Sequence, residues 1–555
     1  MHFEAKIISE LETVVAGQAI ECAALDHAGG ARGEVVSFQI VCRSRSAVEI
    51  ALAVDSPLRE HLEIREAGFV PCLNPAPSCD AEVVCRAPGL YADPLLPCPQ
   101  GIITLSNHNW HSYWITVRIP GDFAAGKYPV DFRIADVTPP WNTEPERVVH
   151  KELARLHLDF TVYGFSLPPQ THKSIQWFYA DCIMSRYGVE CWSEAHWALL
   201  RKYFRNMAEH GSNVLYTPLW TVPLDTSIGA QRPTVQLLEI THGASGYTFG
   251  FGRLKRWMDL AKQEGIGYFE LSHIFTQWGA RKCPKIVVNG RPQFGWECAA
   301  DSPQYADFLS QLLPELQDFL LGEGLEHKCF VHISDEPMAE HMESYRKAVT
   351  LVKRYLDSRR FTFIDALSSI EFYHRGLVDC PIPSTSHFAP FDLEKGLPQR
   401  WFYYTGGDCR DGLPNRTIAH PAYRNRILGV LMYLYRMDGF LHWGYNFWYS
   451  RLSEHTDLDP FRDPECGRYS GSGSSFLVYP GADGPVDSLR HEIYREGWQD
   501  LRALQLLETR IGREAVVALV HEGVGERITL NCYPREAEWL PELRERVNRI
   551  LEENG

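Results

Sequence analysis

The sequence predicts a multidomain chain, an N-terminal β-sandwich followed by a (β/α)8 barrel, and three observations carry that prediction. Residues 1–165 hold short β-rich runs with alternating apolar positions and turn signals between them. Beyond them, eight apolar runs alternate with mostly helical stretches, which is the strand count of a (β/α)8 barrel. The chain has 555 residues, too many for a single hydrophobic core, and such a barrel takes roughly 250 of them.

The β-rich runs of the first part are 35–42, 48–54, 113–120, 126–134 and 156–163. A short loop bearing Gly121 separates 113–120 from 126–134, which predicts a hairpin. Pro and Gly punctuate 71–101, which predicts loop, and Leu167-Pro168-Pro169 marks the boundary. Barrel strands are expected at 174–179, 213–217, 268–273, 330–337, 361–366, 378–385, 400–404 and 439–446. Helices are expected at 193–210, 254–263, 304–321, 339–356 and 423–435, with 487–507 closing the barrel. The stretch 509–555 is mostly charged helix, expected to pack on the barrel. The expected domains are therefore 1–165, 166–508 and 509–555.

Composition narrows the function. Hydrophobic content of 45% and charged content of 23% are those of a globular protein. A net charge of −15 with no basic stripe argues against a nucleic-acid partner. The start, Met1-His2-Phe3-Glu4-Ala5-Lys6, has no long apolar segment behind it, so neither a signal peptide nor a membrane partner is expected. The 15 Cys are odd in number and form no CxxC pair, which predicts reduced thiols in a cytoplasmic protein.

In such barrels chemistry sits at the C-terminal ends of the strands. The most informative end is Phe330-Val331-His332-Ile333-Ser334-Asp335-Glu336-Pro337. An apolar run suits a strand covered on both faces, and ionised carboxylates do not belong inside it. Asp335 and Glu336 are therefore expected where the strand ends and a cavity opens, as the catalytic pair. The competing reading is a helix start capped by Ser334. Other strand ends are polar or aromatic too: His273 and Trp278, His387, Tyr403 with Tyr404 and Asp408, then Trp443, Tyr445, Asn446 and Trp448. Their convergence on one rim predicts a substrate site, with Trp rings as a floor for a sugar face. His273 could equally be a core histidine, His442 reads as one, and the 443–448 cluster could be rim packing. His273, His387, Asp335 and Glu336 lie at no known metal-ligand spacing, so neither metal nor cofactor is expected. Gly471-Ser472-Gly473-Ser474-Ser475 lacks the Lys of a phosphate loop and reads as a flexible loop.

At these residues the chain resembles glycoside hydrolase family 123 and its wider DUF4091 relatives. The likeness lies in Ser334-Asp335-Glu336-Pro337, in the aromatics after the eighth strand, and in Leu477-Val478-Tyr479-Pro480-Gly481 leading to Ser488-Leu489-Arg490-His491-Glu492 and Arg495-Glu496-Gly497. In the front domain it lies in Gly33-Glu34 before the Phe38-Gln39 strand, and in Ile119-Pro120 before Gly126-Lys127-Tyr128. The resemblance implies an exo-acting β-N-acetylgalactosaminidase that retains configuration by substrate assistance. It matches Glu336 to the general acid/base and Asp335 to the residue orienting the 2-acetamido group. An adjacent pair on one strand end is poorly placed for the usual scheme of two carboxyls facing each other across the bond. A small carbohydrate or glycoside is the implied partner. A glycosidase for another terminal sugar, or a non-catalytic carbohydrate-binding protein, are the alternatives.

Overall fold

The computed structural model describes residues 2–75, 80, 82–106, 108–139, 151–277, 279–406, 412–467 and 471–554. In the first domain β1 (Phe3–Ser9), β2 (His27–Arg32), β3 (Val35–Ser44), β4 (Val48–Asp55), β5 (Leu62–Cys72), β6 (Gly89–Pro97), β7 (Ile102–Leu105), β8 (Trp110–Arg118), β9 (Gly126–Asp136) and β10 (Lys151–Ser166) form two five-stranded sheets. Their orders are β1-β3-β8-β5-β6 and β2-β10-β9-β4-β7. Alternation along β3 and β8 explains the packing. Phe38, Ile40, Tyr113, Ile115 and Val117 fill the space between the sheets, while Val41, Trp110 and Trp114 face the rest of the molecule.

Two expectations change here. The runs 113–120 and 126–134 make no hairpin: β8 pairs with β3 and β5 in one sheet, and β9 pairs with β10 and β4 in the other. The loop between them crosses the sandwich, because each strand's apolar residues point into the same inter-sheet space. Nor is 71–101 all loop, since β6 pairs along β5 despite its two prolines. As an edge strand it tolerates residues that cannot donate.

The barrel strands are β11 (Lys173–Gln176), β12 (Val214–Thr217), β15 (Tyr268–Leu271), β18 (Cys329–His332), β19 (Thr362–Ala366), β20 (Cys380–Ile382), β21 (Trp401–Tyr403) and β22 (Gly439–His442). Between and after them lie three small hairpins: β13 (Glu239–Gly243) with β14 (Gly246–Gly250), β16 (Ile286–Val288) with β17 (Arg291–Phe294), and β23 (Val478–Pro480) with β24 (Pro485–Asp487). The barrel strands run parallel in the order β20-β19-β18-β15-β12-β11-β22-β21. A bridge between Ser384 and Tyr403 closes the ring, with the Tyr403 N–H donating to the Pro383 carbonyl at 2.9 Å. All eight expected strands are present; six end earlier than expected, and β12 and β19 end where expected. Around them pack α1 (Ala180–Tyr187), α2 (Glu194–Glu209), α3 (Gly252–Gln263), α4 (Pro303–Gly322), α5 (Met342–Lys353), the short α6 (Glu371–His374), α7 (Ala389–Leu393) and α8 (Tyr423–Arg426), then α9 (Leu428–Leu434) and α10 (Leu489–Ile511). Ser193, Ser302 and Ser488 cap α2, α4 and α10 by accepting a backbone N–H.

Helix α10 is buried along most of its length, charged residues included. It crosses α9 so closely that a Cβ on Gly429 would meet the Gly497 carbonyl oxygen. Its charges are paired across to the sandwich. Arg65 of β5 donates to Glu492 at 2.6 Å and Asp487 at 3.2 Å. Arg490 meets Asp93 of β6 at 2.9 Å. Arg426 of α8 joins Glu10, Glu496 and Asp500. Buried charges survive only with such partners. The late segment of the family resemblance thus builds the joint between the domains.

After α11 (Arg513–Val520), the last helix, α12 (Trp539–Glu553), packs on α10 and also on β2 and β10 of the sandwich. Arg544 pairs with Glu34 at 2.5 Å, and Tyr163 donates to Glu545 at 2.7 Å. The Gly471–Ser475 stretch, expected to be a flexible loop, is buried. Its carbonyls accept from Ile418, Phe447 and Arg490. Among the described residues no helix is long and apolar enough to cross a membrane, and the described cysteines are free thiols.

Candidate active site

Strand β18 ends at His332, and the chain continues through Ile333 and Ser334 into the carboxylate pair. The Ser334 hydroxyl donates to the Thr276 carbonyl at 2.9 Å, and α5 begins only at Met342, so Ser334 caps no helix. Asp335 is half-buried and Glu336 is exposed. Glu336 has φ +43°, a left-handed conformation that costs a non-glycine residue about 1–3 kcal/mol and gathers at functional sites. The kink breaks the strand's alternation. It carries the Glu336 carboxylate over the barrel mouth to Tyr403 of β21, three strands round the ring, whose hydroxyl donates to it at 2.6 Å.

Under Asp335 lies a fully buried polar cluster. Trp177, just beyond β11, donates its indole N–H to both oxygens of Glu270 on β15, each at 3.0 Å. His332 Nδ1 is 2.8 Å from the same carboxylate, and its Nε2 is 3.4 Å from Asp365 of β19. Tyr345 of α5 donates to Asp365 at 2.6 Å. His273 stacks on His332 with ring centroids 3.9 Å apart, and Tyr216 approaches its Nδ1 at 3.1 Å.

Burial raises the Asp335 carboxyl well above the usual carboxylate range, and the neighbouring Glu336 charge raises it further against the pull of His332. Burial also raises Glu270 and Asp365, opposed in each by His332. For His332 burial alone would depress the imidazolium, but the two carboxylates lift it to about 10. Burial and the His332 charge hold His273 well below its ordinary value.

The expected substrate-binding residues divide. Tyr403 stands at the mouth on Glu336. Trp443, half-buried just beyond β22, is held through its carbonyl by the Tyr179 hydroxyl at 2.8 Å. His387 is exposed in the turn after β20, its Nδ1 within 2.9 Å of the Ser384 hydroxyl. His273 belongs to the buried floor with no exposed surface. Trp278 and Asp408 lie outside the described residues.

Three residues are turned away from the mouth. Gly444 is pressed against the Ser475 backbone, where a Cβ would come within 2.5 Å, and beyond it the chain leaves the mouth. Tyr445 packs among Phe178, Tyr203 and His491 and donates to Asn206 at 2.7 Å. Asn446 bridges the Tyr179 backbone, accepting from its N–H at 2.8 Å and donating to its carbonyl at 3.0 Å. Trp448 is buried against Tyr203 and donates to the Val478 carbonyl at 3.0 Å. These three are wall, and Asn446 positions Tyr179 and through it Trp443. His442 is likewise core, accepting from Arg416. Sequence reasoning missed Trp177, Glu270, His332, Asp365 and Tyr345. The available signal was a single charge inside each apolar strand, as in Tyr268-Phe269-Glu270-Leu271.

Two described clusters have the composition of metal ligands: Glu270, His273, His332 and His210, Asp487, His491. The donors do not fit. Both His332 nitrogens face carboxylates, which leaves no lone pair for a metal. In the second cluster Asp487 is already held by Arg65 and by His491 Nδ1.

The fold agrees with what the chain is similar to. The family model "Glycoside hydrolase 123, catalytic domain" matches residues 177–507, more than half of the chain. A solved family 123 glycoside hydrolase from Clostridium perfringens, described for glycolipid glycan hydrolysis, superposes with TM-score 0.73 at 14% identity, covering 100% of this chain and 98% of that one. A β-D-glucuronidase from Dictyoglomus thermophilum (TM-score 0.35, 10% identity, 89% and 69% covered) and a Bacteroides ovatus GH5 xyloglucanase (0.27, 8%, 88% and 100%) are too distant to carry an argument. No curated protein matches. The chain belongs to glycoside hydrolase family 123 and is a glycoside hydrolase.

Proposed function

We propose that the protein is an exo-acting β-N-acetylgalactosaminidase that retains configuration through the substrate's own 2-acetamido group. The observation that carries this is the placement of Asp335 and Glu336 side by side at one strand end, with the other described carboxylates of the barrel interior, Glu270 and Asp365, buried and committed to His332. Neither of these two is free to act as an opposing nucleophile, so the acetamido oxygen takes that role.

The pair holds one proton, because the burial of Asp335 and the charge of Glu336 beside it both oppose the second ionisation. In the free protein the more buried Asp335 competes for it. When the acetamido N–H meets Asp335 it favours that carboxylate, and the proton is left to Glu336. Glu336, presented by Tyr403, protonates the departing oxygen as the acetamido oxygen closes on the anomeric carbon. The nitrogen gains positive character, and the ionised Asp335 stabilises it more in the transition state than in the ground state. Glu336 then draws a proton from the water that opens the oxazoline-like intermediate. Glu270 and Asp365, partly offset by His332, make the floor net negative, as a cationic transition state requires. Trp443 supplies a ring for the sugar face and His387 a rim contact.

The test is a panel of aryl β-glycosides with product stereochemistry followed by NMR. Cleavage of the 2-acetamido galactoside with β product, inhibition by a thiazoline, and inertness of the 2-hydroxy sugar are expected. Efficient hydrolysis of the 2-hydroxy galactoside would refute substrate assistance. Preference for the gluco epimer would replace the sugar.

A further inference from the structure

The scheme above gives the buried charge of His332 no part in the proton balance of the carboxyl pair. His332 ends β18 three residues before Asp335, has no exposed surface, and lies between Glu270 and Asp365. Each carboxylate is fixed from a different side, Glu270 by the Trp177 indole and Asp365 by the Tyr345 hydroxyl. We propose that His332 is a positioning residue for the reaction: an imidazolium clamped between Glu270 and Asp365, whose fixed charge keeps one carboxyl of the Asp335–Glu336 pair ionised while the other carries the proton. The proposal rests on the roles given to that pair.

His332 is the positive group between the floor carboxylates, and Arg232, a buried cation on the far side of Tyr216, is paired with Asp181 at 2.7 Å. Facing it are Glu270 from β15, Asp365 from β19 and Asp335 from its own chain segment, with Glu336 beyond Asp335. His273, stacked on it, is kept neutral by burial. Trp177, Tyr216, Tyr345 and Tyr403 contribute neutral groups around the cluster. Carboxyls gathered in a low-dielectric floor retain protons strongly. A cation beneath them lets the pair reach the singly protonated state at a lower pH. The competing state is a neutral imidazole accepting at Nε2 from the Ala366 N–H, which lies at 3.4 Å. Flanking carboxylates on both sides favour the imidazolium.

The consequence has a sign. Activity needs one proton on the pair, so kcat/KM rises with pH as the first proton leaves and falls as the second leaves. A nearby positive charge lowers both steps. Removing it in His332→Gln moves both limbs to higher pH by about one unit. Removing a negative charge in Glu270→Gln moves both to lower pH. A merely structural role would scale the profile without moving it.

The experiment is the pH profile of kcat/KM for wild type, His332→Gln and Glu270→Gln on an aryl 2-acetamido-2-deoxy-β-galactoside, with melting temperature as the check on folding. A second measurement, independent of activity, is the 15N shift of the His332 ring nitrogens in labelled wild-type protein. Opposite movements of the two profiles and an imidazolium at pH 7 are expected. Unmoved limbs in folded His332→Gln, or a neutral ring at pH 7, overturn the proposal. If His332→Gln does not fold, a Glu270→Gln profile that stays in place or moves upward overturns it. If wild type cleaves no such glycoside, the functional reading fails and the nitrogen shifts alone decide the charge.

Discussion

Replacing Asp335 with Asn should split activity from stability. The side chain is half-buried beside Glu336 and above Glu270 and Asp365. The amide keeps its shape and removes a charge that faces the developing cation. Loss of one such group costs about 2–4 kcal/mol of transition-state stabilisation, roughly 30- to 1,000-fold, and should fall on kcat and kcat/KM together. Stability should move the other way. Folding raises the Asp335 carboxyl, so the folded state prefers it protonated. Its cost to stability is absent below the ordinary carboxylate range, near pH 4, and grows as pH climbs toward the raised value. Asn carries no charge at any pH. Asp335→Asn should therefore melt higher than wild type at pH 7.5, and the gap should close below about pH 4. Steady-state kinetics on 2-acetamido aryl glycosides and calorimetry at the two pH values measure both. A variant within threefold of wild-type kcat/KM, or one that melts lower at pH 7.5, would refute the reasoning.

Glu336→Gln should lose ~10²–10⁴-fold on natural glycosides and less on substrates with good leaving groups; equal losses on both would count against proton donation. Trp443→Ala should raise KM with little change in melting temperature, whereas Trp448→Ala, emptying a fully buried site, should cost about 3–5 kcal/mol of stability while folded molecules keep their turnover. Denaturant titration and Michaelis curves separate the two, and a pure KM effect in Trp448→Ala would return that ring to the sugar site. Arg426→Ala leaves Glu10, Glu496 and Asp500 without their shared cation and should cost about 3–5 kcal/mol, read as a lowered urea midpoint.

The barrel was legible because each of its strands is covered on both faces and reads as a short apolar run, and Asp335-Glu336 stood out because nothing in such a run tolerates two acids. The sandwich was less legible. Strand β6 hides behind Pro94 and Pro97, and the β8–β9 loop is as short as a hairpin loop although it joins different sheets. Tyr445, Asn446 and Trp448 misled because aromatic density at a strand end does not tell inward from outward. The turn of the chain after Gly444 decides that, and it depends on contact with Ser475. Glu270, His332 and Asp365 are 62 and 33 residues apart along the chain. Only the parallel pairing of β15, β18 and β19 shows that three isolated charges are one cluster.

The ion pairs along α10 and the docking of α12 on the sandwich bear on how such an enzyme can be handled and how it can diversify. Cutting the chain near 166 would leave Arg490 without Asp93, and would take Glu10 from Arg426 and Glu34 from Arg544, which keep only the acids of α10. An isolated barrel is therefore a poor expression target. The front domain of one relative cannot be grafted onto the barrel of another unless the paired acids and guanidiniums travel together. Recombination between homologues should respect that seam, so the whole chain, from its first strand to its last helix, is the portable unit.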